Sequence, residues 1–232
     1  SGSEEFMVES EVGDNTLILC PKCGYAANVE KASCAPDEAL GVNGAKQVKT
    51  DKSIEKVACA GVETIDQMET FFKMPASQFI KVLIYKVFNS ALDFSKAPGG
   101  NTFKREGAKN AEYYPVSFTA VAIRGDLDVN ETKLAAVLKA SGAELASEDE
   151  VINYSGAPHG FVGPVGLTKL PLIADESVMV KKDDGSYEVR VHDTVTGGGE
   201  KDVDNLHVAP VRDFIPFITS DVRTVTPGDK CH

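Results

Sequence analysis

The sequence predicts a mixed α/β fold in which short strands build most of the core. Apolar runs such as 82–88 and 116–123 are rich in β-forming residues and are typical of buried strands. Two segments of helix-forming residues begin directly after residues that cap helices, Thr64 and Ser147. Loops containing glycine and proline separate these elements, which favours one compact core of strands and helices.

The amino-terminal residues 1–33 are predicted to form a small unit of their own. Thr16–Leu19 is a short apolar run of β type. A Cys-Pro-Lys-Cys-Gly turn follows it, and residues 25–32 contain strong helix formers, which favour a helix. Residues 35–56 mix polar residues with glycine, alanine and lysine and are interpreted as a linker.

The first half of the next unit, which spans about 57–225, alternates helices and strands. Thr64 is expected to cap a helix whose apolar face carries Ile65, Met68 and Phe72. The elements predicted after it are a short helix over 76–79 that starts behind Pro75, a strand over 82–88, a loop around 98–100, a strand over 116–123, and a helix over 129–140 whose start resembles a capping box of Asp128 and Glu131.

The second half of this unit is predicted to contain one helix and several short strands. Asp183-Asp-Gly185 lies between two apolar runs and indicates a hairpin. The predicted elements, in chain order, are an acidic helix over 148–154, a glycine- and proline-rich loop over 156–166, a strand over 171–175 that ends in a carboxylate, strands over 178–181 and 187–191, a break at Gly197–Gly199, and short final strands over 206–209 and within 214–225.

Composition restricts the classes of function. The chain has 232 residues, of which 42% are hydrophobic and 25% charged, as expected for a soluble globular protein with one sizeable core. Its longest apolar runs fall well short of the roughly 18 residues that span a membrane. The net charge of −11 argues against strong nucleic-acid binding by this chain alone, because phosphate binding requires a basic surface. Five cysteines, an odd number, favour a reducing cytoplasm over a secreted disulfide framework.

Seven strings in a fixed order carry a family resemblance. The first combines Ser1–Phe6, Gly13-Asp14 and the run Cys20-Pro-Lys-Cys-Gly-Tyr-Ala-Ala-Asn-Val-Glu-Lys-Ala32. The other six are Gly61–Ile65, Phe79–Lys86, Ala122–Lys133 with its Arg-Gly-Asp triplet and Asn-Glu pair, Gly160–Gly166 with a Gly-x-x-x-Pro pattern, Ile173–Val178 and Asp221–Asp229. Over nearly its whole length, the chain resembles the part of bacterial-type prolyl-tRNA synthetases that holds an inserted YbaK-like editing domain. That resemblance implies a bent mixed β-sheet flanked by helices.

The resemblance also implies a division of the chain into three parts. Residues 1–50 correspond to a piece of the class II catalytic core with a linker, 51–225 to the editing domain, and 226–232 to the return into the core. The arginine-bearing ATP motifs of class II enzymes are missing from the sequence, so we expect a fragment that does not charge tRNA by itself. Editing is expected to need no cofactor, with ATP and Mg²⁺ confined to the missing core.

The activity implied by the resemblance is hydrolytic editing of mischarged tRNA. A site built for proline rejects the smaller alanine by only about 1–3 kcal/mol, so a second site must remove alanine. The expected substrate is the acceptor end of tRNA(Pro) carrying alanine, with proline excluded by size, in a cytoplasmic enzyme that is a homodimer at full length. Alternatives stay open: a non-catalytic insertion that stabilises the synthetase or positions the acceptor end, and a zinc-stabilised interaction module. Editing of cysteine as well as alanine also stays open.

Three charged or ionisable residues are assigned roles by the resemblance. Lys81 corresponds to the essential lysine, which contacts the substrate carbonyl or the phosphate of the terminal adenosine. Asp175 is expected to hold the α-amino group of the substrate. His207 corresponds to a histidine that helps to set the size limit of the pocket.

The loop from Gly160 to Pro164 is the fourth assigned part of the site. Gly160 and Gly163 allow the backbone to approach the substrate, and their loop offers N–H groups for a developing oxyanion. Phe161, Val162 and Pro164 are expected to contact the substrate.

Cys59 departs from the family pattern, in which many relatives carry a threonine that touches the substrate. Three roles stay open for a cysteine at this position: a weak hydrogen-bond donor, a nucleophile, or a small buried residue. His159 and His192 are interpreted as surface or turn residues. Asp126 and Asn130 are interpreted as turn and helix-start residues.

The cysteines near the two ends of the chain resemble an incomplete zinc signature. Cys20 and Cys23 form one Cys-x-x-Cys pair, and Cys231 stands where a second pair would begin. A fourth ligand is missing unless His232 supplies it. The prediction is therefore a reduced pair without metal, with zinc at Cys20, Cys23 and Cys231 as the weaker alternative.

Overall fold

The computed structural model describes residues 16–35, 47–92 and 116–231. The strings Ser1–Phe6 and Gly13-Asp14, the predicted loop at 98–100 and His232 lie outside these residues. The described strands are Leu17–Leu19 (β1), Ala26–Asn28 (β2), Glu55–Ala58 (β3), Ile80–Phe88 (β4), Val116–Arg124 (β5), Gly142–Leu145 (β6), Leu172–Asp175 (β7), Met179–Lys181 (β8), Tyr187–Val189 (β9), Thr194–Gly197 (β10), Val203–Val208 (β11) and Ile218–Ser220 (β12). The described α-helices are Ile65–Phe72 (α1), Glu131–Val137 (α2) and Glu148–Ser155 (α3), and a 3₁₀ turn covers Ala76–Gln78.

A five-stranded mixed sheet forms the centre of the fold, with strand order β12-β7-β5-β4-β6. Strands β4 and β5 pair antiparallel along their whole length, from Ile80 opposite Arg124 to Phe88 opposite Val116. Strand β7 pairs parallel with both β5 and β12. Strand β6 covers only the Tyr85–Phe88 half of β4. The first half of β4 is therefore left without a β6 partner.

Both faces of this sheet are buried. On one face, Ile80, Val82 and Ile84 belong to a large apolar cluster that also contains Val151 of α3. On the other face, alternate residues of β4 pack with Leu134 of α2, as expected from the two-residue period of a strand. A second sheet of order β10-β11-β3 contacts β4 through a bridge between Phe79 and Val195. The predicted mixed α/β class is confirmed. Among the described residues, no helix has both the length and the apolar character needed to cross a membrane.

Two helix starts follow the predicted chemistry. The Thr64 hydroxyl accepts a hydrogen bond from the Gln67 backbone N–H, and the Gln67 side chain reaches back to the cap, which forms a complete capping box for α1. Ser147 and Glu150 form the same arrangement at α3. Each box satisfies backbone N–H groups that have no partner inside the helix, so local sequence is sufficient to set these boundaries.

The capping box predicted at Asp128 for α2 is wrong, whereas the helix-start role predicted for Asn130 agrees with the structure. Asn130, rather than Asp128, caps this helix, and its side chain accepts a hydrogen bond from the Lys133 backbone N–H. Asp128 lies outside the helix and forms an ion pair with Lys81. Both residues are able to cap a helix, and the local pattern did not separate them.

The predicted helix over 25–32 is also wrong. Residues 26–28 form β2, which pairs antiparallel with β1 across the Cys-Pro-Lys-Cys-Gly turn. Gly24 has a φ of +73°, which allows the chain to reverse at this point. An isolated eight-residue helix is marginal in water, so pairing with β1 overrides the helix propensity of these residues.

Candidate active site

A cavity of about 300 Å³ lies beside the first half of β4, where β6 has already ended. Its walls are the start of α1, strand β4, the first turn of the loop after α3, and the ends of β10 and β11. Most of the lining is apolar, and a few polar groups converge on it, which is typical of a small-molecule site. Because this edge of β4 has no β6 partner here, residues from both faces of the strand reach the cavity.

Lys81 lies on the wall of this cavity formed by β4. Its Nζ is 2.9 Å from Oδ1 of Asp128, whose side chain is 84% exposed. A pair with so exposed a partner is weak and exchanges readily with solvent or with a ligand. Lys81 is therefore a cation that is held in place at the cavity but remains available to an anionic group.

Asp204 of β11 is a buried carboxylate on the cavity wall that sequence reasoning missed. It is only 2% exposed, and its Oδ2 accepts a hydrogen bond of 3.2 Å from the Cys59 thiol. Burial raises the pKa of Asp204, while the hydrogen bond from Cys59 opposes this effect. A buried carboxylate with one neutral donor suits the binding of a cationic group from a ligand.

Cys59 itself does not line the cavity and is fully buried behind Asp204. Burial, followed by the adjacent Asp204 carboxyl, raises the pKa of the thiol to about 12. A thiol with this pKa stays protonated at neutral pH and is a poor nucleophile. Of the roles left open by the sequence, the geometry favours a weak donor that positions Asp204.

Part of the glycine loop lies at the cavity. Gly160 and Val162 line it, and Gly160 has a φ of +85°. The backbone N–H groups of these two residues have no hydrogen-bond acceptor among residues 16–35, 47–92 and 116–231. They are available to an oxygen atom of a ligand.

Gly163 explains how the loop is held in place. A Cβ atom at this position would lie 1.8 Å from the Gly197 carbonyl oxygen, and one at Gly197 would lie 2.4 Å from the Phe161 carbonyl oxygen. The Gly199 N–H donates to that same Phe161 carbonyl at 2.9 Å. Two backbones therefore touch directly, which requires glycine at both contact points. The glycines at 197–199, which interrupt the strand pattern in the sequence, form the backbone against which this loop packs.

His159 is an exposed residue that also lines the cavity mouth. Its position agrees with the predicted turn, but its place at the cavity was missed. Phe161 is buried behind the loop, and Pro164 lines a separate surface depression with Phe214 and Phe217. Neither Phe161 nor Pro164 reaches the cavity wall itself.

Asp175 lies away from the cavity and is fully buried. Its Oδ1 accepts a hydrogen bond from the Ser177 N–H at 2.8 Å, and its Oδ2 accepts one from the Val222 N–H at 2.9 Å. Burial raises its pKa, and these hydrogen bonds oppose the effect. In this arrangement, Asp175 ties β7 to the segment after β12 and has no exposed oxygen to offer a substrate.

His207 also lies outside the cavity lining. It sits at a register shift between β10 and β11, with a left-handed φ of +64°. Its Nδ1 is 2.6 Å from Oδ1 of Asp193, and its carbonyl oxygen accepts a hydrogen bond from Arg212. A bulge of this kind redirects one side chain and bends its strand. The bulge lies on β11 three residues after Asp204, and the size-limiting role that the resemblance implies for His207 stays a prediction.

Asp126 and Asn130 have the structural roles predicted for them. Asp126 binds the Arg124 guanidinium through both carboxylate oxygens, at 2.6 and 2.9 Å. Asn130 caps α2. His192 is half-buried beside Gln47 and is not part of the cavity lining.

Comparison with known proteins identifies relatives of this chain. Residues 59–186 match the family model described as "Aminoacyl-tRNA editing domain". The proline–tRNA ligase of Treponema denticola is 51% identical over 231 residues, covering 100% of this chain and 36% of that protein. The proline–tRNA ligase of Brachyspira hyodysenteriae is 38% identical and covers 99% of this chain and 33% of that protein. The one of Treponema pallidum strain Nichols is 36% identical and covers 99% of this chain and 38% of that protein. The chain thus spans about a third of the length of these curated relatives. A solved hypothetical protein is 21% identical with a TM-score of 0.46, covering 74% of this chain and 91% of that one.

Proposed function

This chain belongs to the aminoacyl-tRNA editing domain family, and on that premise we propose that it hydrolyses the ester of alanyl-tRNA(Pro) within a proline–tRNA ligase and leaves prolyl-tRNA(Pro) intact. The observation that carries the proposal is the cavity beside β4. It combines a lysine, a buried carboxylate and a glycine loop with available N–H groups in one apolar enclosure. These are the parts that ester hydrolysis next to a charged amine requires.

Asp204 is the proposed partner of the substrate α-ammonium group. The carboxylate is desolvated, and a cation that enters the cavity neutralises it, so the pairing is stronger there than in water. Cys59 keeps the carboxylate oriented by donating to Oδ2. The resemblance assigned amine binding to Asp175, but both oxygens of Asp175 already accept backbone hydrogen bonds, which supports Asp204 in this role.

The glycine loop is proposed to stabilise the reacting carbonyl. A water molecule attacks the carbonyl carbon, the carbonyl oxygen becomes an oxyanion, and the N–H groups of Gly160 and Val162 donate to it. The bond to the ribose oxygen then breaks, and this oxygen takes the proton that the attacking water gives up. His159 at the cavity mouth is in a position to carry that proton. Removing one oxyanion donor typically lowers kcat by about 10²–10³-fold, which sets the size of the effect expected from this loop.

Lys81 is proposed to bind the anionic end of the substrate, the phosphate of the terminal adenosine. The chain has a net charge of −11, so a local cation is needed where a phosphate must approach. The weak ion pair with exposed Asp128 is readily exchanged for such a contact.

Exclusion of proline is proposed to come from the cavity walls. Ile80 and Val82 belong to a paired strand, Val151 to a helix, and Val162 to a loop that packs against another backbone. Walls that are themselves packed against other elements move little, so they are expected to leave no room for a side chain larger than that of alanine.

The domain boundaries fit the same proposal. We propose that 51–225 form the editing unit, and that 1–50 and 226–232 belong to the synthetase core. The two larger apolar clusters contain no described residue of 1–50, which supports this division, and the small cluster of Ala32, Cys34 and Val225 joins the two parts at their boundary. Other parts of a cytoplasmic, homodimeric full-length enzyme are proposed to hold the tRNA.

The test is deacylation of alanyl-tRNA(Pro) and of prolyl-tRNA(Pro), with enzyme in excess over tRNA so that weak binding does not hide the reaction. We expect selective loss of alanine. In Lys81→Ala the deacylation rate should fall by about 10- to 160-fold, since a charge-assisted contact contributes about 1.5–3 kcal/mol. Lys86→Ala is the matched control, since Lys86 has the same 22% side-chain exposure on the same strand but pairs with Glu144 outside the cavity. Equal, background loss of both amino acids would instead favour the non-catalytic insertion.

A further inference from the structure

Three cysteine thiols meet at one point although two of them are separated from the third by more than 200 residues. Cys20 Sγ is 3.2 Å and Cys23 Sγ is 3.4 Å from Cys231 Sγ. All three sulfur atoms lie within 4.8 Å of one another. The spacing of Cys20 and Cys23 was visible in the sequence, but only the fold brings Cys231 to them.

The separations of the three sulfur atoms suit a tetrahedral metal ion. With zinc–sulfur bonds of about 2.3 Å, tetrahedral geometry places two sulfur ligands about 3.8 Å apart. Two of the observed separations, 3.2 and 3.4 Å, are shorter than this value, so a side-chain movement of about half an ångström makes room for the ion. A disulfide would use two of the sulfurs and leave the third unpaired at the same point.

The turn that carries the first two thiols is shaped to hold a thiolate. The backbone N–H groups of Lys22 and Cys23 donate to Cys20 Sγ. The Gly24 N–H closes the turn on the Cys20 carbonyl at 3.1 Å, with the left-handed backbone of Gly24 allowing the reversal. Amide hydrogen bonds to sulfur stabilise the negative charge that a metal-bound thiolate carries. This arrangement is independent of the clustering of the three sulfurs.

The surrounding structure has little else to hold it together. In the described part of the chain, the local cluster contains three buried residues, Ala32, Cys34 and Val225. The hairpin β1–β2 pairs only with itself among the described strands. Single hydrogen bonds also tie this part to the rest of the chain: the Ala35 N–H donates to the Lys230 carbonyl at 2.7 Å, the Asn130 side chain to the Val29 carbonyl at 3.1 Å, and Arg223 Nη2 to Cys34 Sγ at 2.6 Å. Units with so small a core usually need a metal or a disulfide for stability.

We propose that Cys20, Cys23 and Cys231 bind one Zn²⁺ ion, which joins the β1–β2 hairpin to the carboxyl-terminal segment as a structural site. Three thiolates leave one tetrahedral position for water or a further donor. The site is separate from the cavity beside β4, so it is independent of the proposed hydrolysis. It replaces the metal-free pair expected from the spacing alone.

The test is the metal content of the 232-residue chain, purified under reducing conditions and loaded with zinc alone. We expect about one tightly held zinc ion per chain, and a near-complete loss in Cys20→Ser, Cys23→Ser and Cys231→Ser. Cys34→Ser is the matched control, since Cys34 lies in the same small cluster but outside the trio of thiols. It should keep its zinc.

Cobalt substitution separates a lost ligand from a lost fold. The parent chain loaded with Co²⁺ should show the intense near-ultraviolet band of cobalt–thiolate bonds and the visible bands of a tetrahedral ion. Cys231→Ser should lose nearly all of both sets of bands. Far-ultraviolet circular dichroism of each variant confirms that the main sheet is intact. Absence of zinc and of the cobalt bands in the reduced parent chain, or zinc retained by all three serine variants, would overturn the proposal. A mass lower by two hydrogens in the reduced preparation would show a disulfide instead.

Discussion

Replacing Asp204 with asparagine is expected to lower activity while leaving the protein as stable or making it more stable. The substitution keeps the shape of the side chain and an oxygen that accepts the Cys59 hydrogen bond. It removes the negative charge from a position that is 2% exposed. Buried charges of this kind are retained at binding sites despite their unfavourable solvation, so activity and stability should change in opposite directions.

The size of the activity loss follows from the contact that is removed. A hydrogen bond between charged partners typically contributes about 1.5–3 kcal/mol, so kcat/KM for alanyl-tRNA(Pro) should fall by about 10- to 160-fold. The stability effect depends on pH. Burial raises the pKa of Asp204 above its usual 3.8, so the carboxyl favours folding below 3.8 and that contribution is lost as pH rises through the folded-state pKa. The stability advantage of the Asp204→Asn variant over the parent protein should therefore be present at neutral pH and vanish in acid.

Two assays on the same preparations test this reasoning. Single-turnover deacylation gives the activity, and thermal unfolding at pH 7 and below pH 4 gives the stability. Asp202→Asn is the matched control, since Asp202 is half-buried two residues earlier and has a left-handed φ of +59°, which asparagine tolerates. Full activity of Asp204→Asn, or a lower melting temperature at pH 7 than that of the parent, would refute the role assigned to Asp204.

Two further substitutions test the loop and the buried carboxyl away from the cavity. Gly163→Ala should lower the free energy of unfolding in urea by about 1–3 kcal/mol and reduce deacylation, because its Cβ would meet the Gly197 carbonyl oxygen. Gly142→Ala is the control and should be tolerated, because the nearest atom to its Cβ would be a Phe88 ring carbon at 3.7 Å. Unchanged stability of Gly163→Ala would show that the two backbones do not touch. Asp175→Ala should lower the free energy of unfolding by about 2–4 kcal/mol, since two buried backbone N–H groups lose their acceptor, while the folded fraction keeps its preference for alanine. A stable Asp175→Ala protein that has lost that preference would restore the amine-binding role implied by the resemblance.

The helices and short strands show which elements are determined by residues close together in the sequence. The capping boxes at Thr64 and Ser147 were predictable because each involves residues three positions apart, whose hydrogen bonds form whatever the rest of the chain does. Residues 26–28 were mispredicted because pairing with β1, nine residues away, outweighs a small preference for helix. Strand β6 was missed for the same reason, since Gly142–Leu145 has weak strand character of its own and is held by β4.

The site shows the same division. The sequence by itself determined the chemistry that was available: Lys81 at the start of a strand, a glycine loop, and a resemblance that names an editing domain. The tertiary structure decided which side chains meet. It placed Asp204 and Lys81 on the wall of one cavity, brought Cys231 to Cys20, and enclosed Asp175 among backbone donors. Caps and strand periodicity depend on neighbours a few residues apart, whereas a cavity depends on burial and on contacts between distant segments, which no local pattern records.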